Sequence, residues 1–384
     1  MREYSDVVIV GAGASGLLCG GLLASHGIHV SILEKNSRTG RKLTATGNGR
    51  CNFTNRDLQT DKYYGDEKWL EQFLEGFGAG DIIQQFEKIG IFHREKDGYI
   101  YPYTNQAVTV VDALERFCRK NGVEIVLDCK ASAIQKSTDD KGYCVRTPEG
   151  KIRCRYVILA TGGKAYEELG GDGSGYKLVR SLGHQVHSIA PGLTGLICSG
   201  NWWKQVAGTR VQGRFSLLIN HRPVAGECGE IQITKDGVSG IPVFQLCRVA
   251  AYALAEGQLV EGLIDFVPTM GEEQLRDWIV QYGIDGLLPK KWSDFFRGRA
   301  EMEKNIKAFR FPVTSTFGIA RAQVTAGGVP TDELSSLTME SHLQPGLFVL
   351  GELIDVDGKC GGYNLHFAWT CACRACAEIV RREK

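Results

Sequence analysis

The sequence predicts an α/β fold built on a parallel sheet and interrupted in its later half by a strand-rich stretch and then a helical one. Three observations predict it. Asp6–Val10 is a continuous, mostly β-branched run that leads into glycines at G-x-G-x-x-G spacing. A second buried run, Tyr156–Leu159, ends in Ala160-Thr161-Gly162-Gly163. A third, Leu347–Leu350, ends in a Gly-Glu pair.

The bulk numbers narrow the classes open to the chain. Its 384 residues suggest two or three domains, and 43% apolar with 23% charged residues is ordinary for a globular protein. A net charge of +1 supplies no basic field to gather nucleic acid or an acidic membrane, so neither is expected as a partner. No apolar run is long enough to span a bilayer. Thirteen cysteines, an odd number scattered over strand-like and helix-like segments, read as reduced thiols. Met1 runs almost directly into a strand with no leader pattern, and the expected location is the cytoplasm. The 48 glycines are clustered, which matters because glycine lets backbone approach a ligand.

In chain order, the first strand is followed by Gly11, Ala12, Gly13, Ser15 and Gly16, then by a helix of small and apolar residues to about Ser25. Gly11 is expected to make the tight turn, Gly13 to admit a pyrophosphate, and Gly16 to let the helix press on the sheet. A second strand, Val30–Leu33, ends at Glu34-Lys35, placing Glu34 to accept from ribose hydroxyls. Strand, glycines, helix, strand and acid in register predict dinucleotide binding. The polar loop "RTGRKLTATGNGRCNFTN" then carries Arg41, Lys42, Asn48, Gly49, Arg50, Cys51 and Asn52, all candidates for contact with the dinucleotide. A helix over Val110–Asn121, the strand "VEIVLDC" and a meander beginning near Ala131 lead to the strand that ends in Ala160, Thr161 and Gly162. That order is the layout of a glutathione-reductase-type, Rossmann-like FAD-binding domain, and NAD dehydrogenases do not usually interpose such a meander. "GDGSGYKLVRSLGH" has glycines but no following strand ending in an acid, so it reads as a turn capping a helix. A dedicated NAD(P)H domain is not evident. NAD(P)H is expected as a transient reductant.

The chain closes the site with "GELIDVDGKCGGYNLHFAW". Gly351 and Glu352 end a strand, and a helix begins near Asn364; in FAD proteins of this layout such a helix aims its N-terminus at the flavin N1–C2=O edge, and the same is expected here. Gly361 and Gly362 are expected to leave room for the ring, and Tyr363, Asn364 and Leu365 to flank it.

The motifs GAGASG, GRKLTATGNGRCNFTN, ATGG, GDGSGYKLVRSLGH, RAQVTAGGV, TMES and GELIDVDGKCGGYNLHFAW together resemble the BaiN-like bacterial flavoproteins, also described as aminoacetone-oxidase-family NAD(P)/FAD-dependent oxidoreductases. The resemblance implies non-covalent FAD and three parts. These are a split FAD-binding domain (1–190 and 331–384), an inserted β-barrel (191–270 and 310–330) and a small helical insert (271–309). Alternating strands with glycine turns before 270 and helical periodicity after it fit that division. Two segments depart from the family pattern. Lys235-Asp236 stand where many relatives have a His-containing segment, and "CACRAC" follows Ala368-Trp369 where Ser and Gly are commoner.

Candidates for chemistry are few. Tyr363 or His366 could donate a proton to a carbanion formed by hydride addition, although His366 also reads as a satisfied structural histidine. Arg50 and Lys42 either stabilise negative charge or anchor the pyrophosphate loop. Tyr101-Pro102-Tyr103 offers an aromatic wall or ordinary core. Cys371, Cys373 and Cys376 read as small core residues, and no metal site is expected. The resulting expectation is a cytoplasmic FAD-dependent oxidoreductase that reduces a C=C bond conjugated to a carbonyl in a small molecule. An O2-using oxidase of an amine or aminoketone is the alternative, and an RNA-modifying or RNA-binding flavoprotein is a third reading.

Overall fold

The computed structural model describes residues 3–137 and 142–384. Contacts divide the chain into two compact units, Met1–Ile189 with Val324–Lys384, and Ala190–Gln323.

The first unit is built on a seven-stranded sheet. Tyr4–Val10 lies at its centre, parallel to Val30–Leu33 on one side and to Gly150–Leu159 on the other. Glu124–Val126 adds a further parallel strand beyond Val30–Leu33. The long strand Gly150–Leu159 changes partners along its length. Its first half pairs antiparallel with Tyr143–Thr147, and its second half pairs parallel with Leu347–Val349. The meander is completed by Ala133–Lys136, and residues 138–141 lie outside the described residues. Val7, Val8 and Ile9 are wholly buried, as a central strand covered on both faces requires. Helix Ala14–Ser25 lies on the sheet, where a Cβ on Gly20 would stand 2.7 Å from Ile32, and helix Ala107–Lys120 packs against that helix. A Cβ on Gly21 would stand 2.3 Å from the Phe117 ring, so the small residue sets the helix spacing.

The hairpin read in "HREKDGYIYPYT" is present as His93–Lys96 paired with Tyr99–Pro102. Its two-residue turn, Asp97-Gly98, has both φ angles positive, which matches strand twist. The C-terminal helix begins at Tyr363, one residue before the expected Asn364. It runs over Tyr363–Glu383 and buries Phe367, Trp369, Cys371, Ala372 and Ile379 in the core of this unit.

The second unit is a closed barrel of six strands. Its longest pair, Arg210–Ile219 and Arg222–Thr234, turns through Asn220 and His221, both at positive φ. The helix Ile241–Ala255 packs on the barrel strands through Val243, Leu246, Cys247 and Ala250. Helices Glu272–Tyr282, Lys290–Phe296 and Met302–Lys307 contribute Leu275, Trp292, Phe295, Phe296 and Ile306 to the same core as the barrel. Among the described residues no helix is long and apolar enough to cross a membrane.

Candidate cofactor-binding site

The glycine loop separates its three tasks cleanly. Gly11 turns the chain at φ +108, and a Cβ there would lie 2.4 Å from the Ala160 carbonyl oxygen. A Cβ on Gly16 would lie 2.0 Å from the Gly11 oxygen, so helix and loop touch directly. Gly13 is different: a Cβ on it would meet nothing within 4 Å. It caps Ala14–Ser25 with no side-chain hydrogen bond. An uncapped helix N-terminus beside open space is a donor set and a positive dipole end suited to a diphosphate.

Glu34 is buried and braces this loop. Oε2 accepts from the Ala12 amide at 2.9 Å, while Oε1 accepts from the Asn36 backbone at 2.9 Å and its side-chain amide at 2.6 Å. Three of a carboxylate's about four acceptor sites are thus in use by the protein itself. Lys35 turns to Asp172, 2.5 Å away. Burial alone would raise the Asp172 carboxyl, but Lys35, Ser174 and Lys130 outweigh it and hold the group well below its ordinary value. Arg41 donates to Asn36 Oδ1 at 3.0 Å and to the Glu168 carbonyl at 2.6 Å. Ala131 and Ala160 are buried, Thr161 is half-buried, and Gly162 has φ +68.

Glu352 gathers three segments. Its carboxylate receives the Lys42 ammonium at 2.7 and 2.5 Å and the Thr325 amide at 2.8 Å. Thr325 Oγ1 in turn accepts from the Lys164 and Ala165 amides at 2.8 and 2.9 Å. The loop after the ATG strand is thereby tied to Lys42 through one buried threonine. Sequence reasoning missed Thr325, although it quoted the RAQVTAGGV segment that carries it. It also missed Asn55, which is buried and donates to the Gly361 carbonyl at 2.9 Å while accepting from the Asp57 amide at 3.0 Å. Its only sequence signal was its place at the end of GRCNFTN.

The polar loop is strained where it meets the C-terminal helix. Asn48 and Cys51 have φ of 54 and 58, values that L-residues adopt at a cost of about 1–3 kcal/mol each. Asn48, Gly49 and Arg50 are exposed, and the Gly49 carbonyl is held by the Ala107 amide at 2.7 Å. Cys51 is wholly buried, and burial pushes its thiol up to about 12. Asn52 is also buried, and its Oδ1 has no hydrogen-bond partner among the described residues. Gly362, at φ +92, starts Tyr363–Glu383 with no side-chain cap. On the Cβ side of these glycines the space is taken by the protein itself. A Cβ on Gly362 would meet Asn52 Oδ1 and the Thr54 carbonyl at 2.9 Å, and one on Gly361 would meet the Tyr363 ring at 2.7 Å. Asn364 clamps Gly358 through both its amide atoms, at 2.8 and 2.7 Å, and half-buried Leu365 packs on the core.

The two proposed proton donors differ sharply. His366 is wholly buried, with Nδ1 at 2.9 Å from Thr54 Oγ1 and Nε2 at 3.2 Å from the Phe77 carbonyl. Because that carbonyl can only accept, Nε2 carries the proton and Nδ1 accepts from Thr54. Burial lowers the imidazole to about 4, only partly offset by the Phe77 carbonyl. His366 therefore ties the helix to its neighbours and has no exposed atom from which to serve a substrate. Tyr363 has its phenol pushed up to about 12, chiefly by burial, and meets Tyr63 edge-on at 5.8 Å. Tyr101 is half-buried, and its phenol is raised by burial against the lowering charge of Arg50. In "CACRAC", burial pushes the thiols of Cys371, Cys373 and Cys376 up to about 12. Arg374 between them donates to the carbonyls of Gln72, Phe73 and Glu75, at the C-terminal end of helix Glu67–Leu74.

These residues fit FAD: the space over Gly13 and two uncapped helix N-termini are what a dinucleotide with a polar ring edge would use. Fold and site define a FAD-dependent oxidoreductase. The chain belongs to the HI0933-like family, whose Rossmann domain it matches over residues 5–378. It is 36% identical to a 3-dehydro-bile acid delta(4,6)-reductase from Clostridium scindens, over 96% of this chain and 98% of that one. It is 29% identical to a ribosomal RNA dihydrouridine synthase from Haemophilus influenzae, over the whole of both chains. Its fold is similar to the crystal structure of 3-ketosteroid delta1-dehydrogenase from Sterolibacterium denitrificans. The TM-score is 0.56 at 12% identity, over 99% of this chain and 100% of that one.

Proposed function

We propose that this protein is a cytoplasmic reductase of a C=C bond conjugated to a carbonyl, acting on a small molecule of the steroid-enone type with NAD(P)H as reductant. The observation that carries this reading is the 36% identity, over nearly the full length of both chains, to a reductase of an unsaturated 3-keto bile acid. When bound, FAD supplies hydride acceptance and donation at its N5.

The chain's own groups are suited to the rest. The N-terminus of Tyr363–Glu383 sets backbone donors and the positive dipole end against the negative charge of two-electron reduction. Tyr363, with its phenol at about 12, is protonated at neutral pH and can pass a proton to the carbon next to the one that receives hydride. Lys42 is committed to Glu352, which leaves exposed Arg50 to attract the oxygen of the substrate carbonyl.

A second reading has its own support in the relatives named for ribosomal RNA dihydrouridine synthesis. The C5=C6 bond of uracil is also conjugated to a carbonyl, so the same chemistry would serve either substrate. The net charge of +1 favours the small molecule, because RNA binding draws on a surplus of phosphate-neutralising cations. Anaerobic stopped-flow of the purified protein with NADH and NADPH, followed by reoxidation with steroid enones, unmodified ribosomal RNA or O2, tests the proposal. Rapid reoxidation by an enone supports it. Reoxidation by RNA alone supports the second reading. Slow reduction by both nicotinamides with rapid reduction by an amine would transfer the protein to the oxidases.

A further inference from the structure

The hairpin of His93–Lys96 and Tyr99–Pro102 joins Thr54–Asn55 in a separate three-stranded sheet, with His93–Lys96 at its edge. Residues directly opposite one another across such a sheet share a face, as do residues two apart along a strand. Arg94 stands opposite Tyr101, Lys96 opposite Tyr99, and Tyr99 opposite Asn55. These five residues therefore lie on one face. The other face carries Ile100 and Pro102, both buried, and Glu95, which pairs with Arg56 at 3.0 Å.

Cover on the first face changes from one side to the other. Asn55 is covered by the chain itself: its amide donates to the Gly361 carbonyl, and a Cβ on Gly361 would stand 2.7 Å from the Tyr363 ring and 3.4 Å from that amide nitrogen. Tyr363 thus lies beside Asn55. Farther out the face opens, with Tyr101 half-buried and Tyr99, Arg94 and Lys96 exposed. Charge divides in the same direction. Asp57 and Asp61, whose charges reach Tyr363, both pair with Lys62, at 2.9 and 3.3 Å. Among the described residues Arg94 and Lys96 have no ion-pair partner, and exposed Asp97 follows them in the hairpin turn.

An aromatic strip with an unpaired cation at its far edge matches a flat apolar skeleton that ends in an anion. The planar guanidinium of arginine suits the two oxygens of a carboxylate. A polynucleotide would instead draw on a row of cations along its backbone, and this face offers two at one edge. Two strand spacings, about 10 Å, separate the strand of Asn55 from that of Arg94. Resting on the reading of the protein as a reductase of conjugated C=C bonds, we propose that its substrate carries a carboxylate bound by Arg94, with Lys96 beside it. The skeleton lies on Tyr99 and Tyr101, and the carboxylate sits about 10 Å or more from the carbon that is protonated beside Tyr363. Arg94 then selects the substrate and takes no part in the hydride step.

The test sets a steroid enone with a side-chain carboxylate against its methyl ester, which keeps the enone and removes the charge. Steady-state kinetics of the full-length, FAD-loaded protein are paired with equilibrium binding to its oxidised form, read from the flavin absorption spectrum. The wild-type protein is expected to favour the acid about tenfold or more in both kcat/KM and affinity. Arg94→Met is expected to raise KM for the acid about tenfold while kcat for the acid and both constants for the ester stay within about twofold. Arg94→Lys keeps the charge without the fork and should recover part of the preference. Arg94 is exposed on an edge strand, so these substitutions spare the fold, and the comparison of acid with ester in the wild type needs no variant. Equal handling of acid and ester by the wild-type protein overturns the proposal, and so does Arg94→Met that keeps the full preference. Turnover of both compounds at equal rates leaves the reductase reading intact. Binding that prefers the acid, with turnover of neither, defeats that reading and leaves the carboxylate subsite standing.

Discussion

Lys42 and Glu352 stand 310 positions apart in sequence, and the ammonium of one lies 2.5 and 2.7 Å from the carboxylate oxygens of the other. Both side chains are only partly exposed, so the pair is less screened than one on the open surface. The same carboxylate takes the Thr325 amide, and through Thr325 it orders the loop after the ATG strand. Glu352→Gln keeps an acceptor for Thr325 but loses the charge, and is expected to weaken FAD binding about 5–10-fold with a small loss of Tm. Thr325→Val, which removes the oxygen that holds the Lys164 and Ala165 amides, is expected to lower stability by about 1–3 kcal/mol. Fluorescence titration and thermal melts of the apo-protein read the two effects separately.

The glycine loop predicts opposite outcomes for neighbouring substitutions. Gly11→Ala forces a Cβ within 2.4 Å of a carbonyl oxygen at φ +108 and should cost about 3 kcal/mol or more. Gly13→Ala has ordinary φ and open space, so the apo-protein should keep its stability within about 0.5 kcal/mol. Its methyl group instead occupies the space over the helix start, and FAD affinity should fall tenfold or more. Urea denaturation paired with flavin titration checks both. Unchanged FAD affinity in Gly13→Ala would refute the placement of the diphosphate.

His366 makes stability depend on acid. Its folded pKa of about 4 lies below the ordinary 6.5, so between those values the unfolded chain binds a proton that the folded protein refuses. Stability therefore falls as pH drops from 6.5 toward 4 and gains nothing further below, with a span on the order of 3 kcal/mol. His366→Asn should flatten the denaturation profile over that window relative to wild type. The pH profile of kcat should show no limb belonging to His366 near neutrality.

Thiol reactivity should divide the cysteines by burial. Cys51, Cys371 and Cys376 are buried with thiols at about 12, so they should resist alkylation of the native protein at pH 8. Cys228 is exposed on a barrel strand and should react first with Ellman's reagent. Cys228→Ser should remove the fastest phase, and urea should release the slow thiols.

What the sequence disclosed follows the range of the forces involved. The run Asp6–Val10, the turn at Gly11 and the helix contact at Gly16 all lie within one βαβ unit, so their spacing carried their structural parts. His366 was ambiguous because a histidine at a helix start looks the same whether it faces solvent or Thr54. Only the fold shows the latter. On the Cβ side, Gly361 and Gly362 are faced by Asn52, Thr54 and Tyr363, which no local pattern reveals, because it does not show which part of the chain returns to a given glycine. Thr325 and Asn55 were hidden for the same reason, since each acts on segments far away in sequence. The helix at Tyr363 was visible from its glycine start, yet the partnerless oxygen beside it was not.

The tie between Lys42 and Glu352 also imposes an order in time. At about 5–20 residues per second of synthesis, the 310 residues between them take roughly 15–60 s to make. Throughout that interval the ribosome has already delivered the glycine loop and the polar loop, but not the helix that begins at Tyr363 or the carboxylate that secures Lys42. On the proposed placement of FAD, the nascent chain carries the diphosphate loop well before it owns the helix assigned to the ring. Flavin capture on that placement waits for Glu352 and the helix that begins at Tyr363.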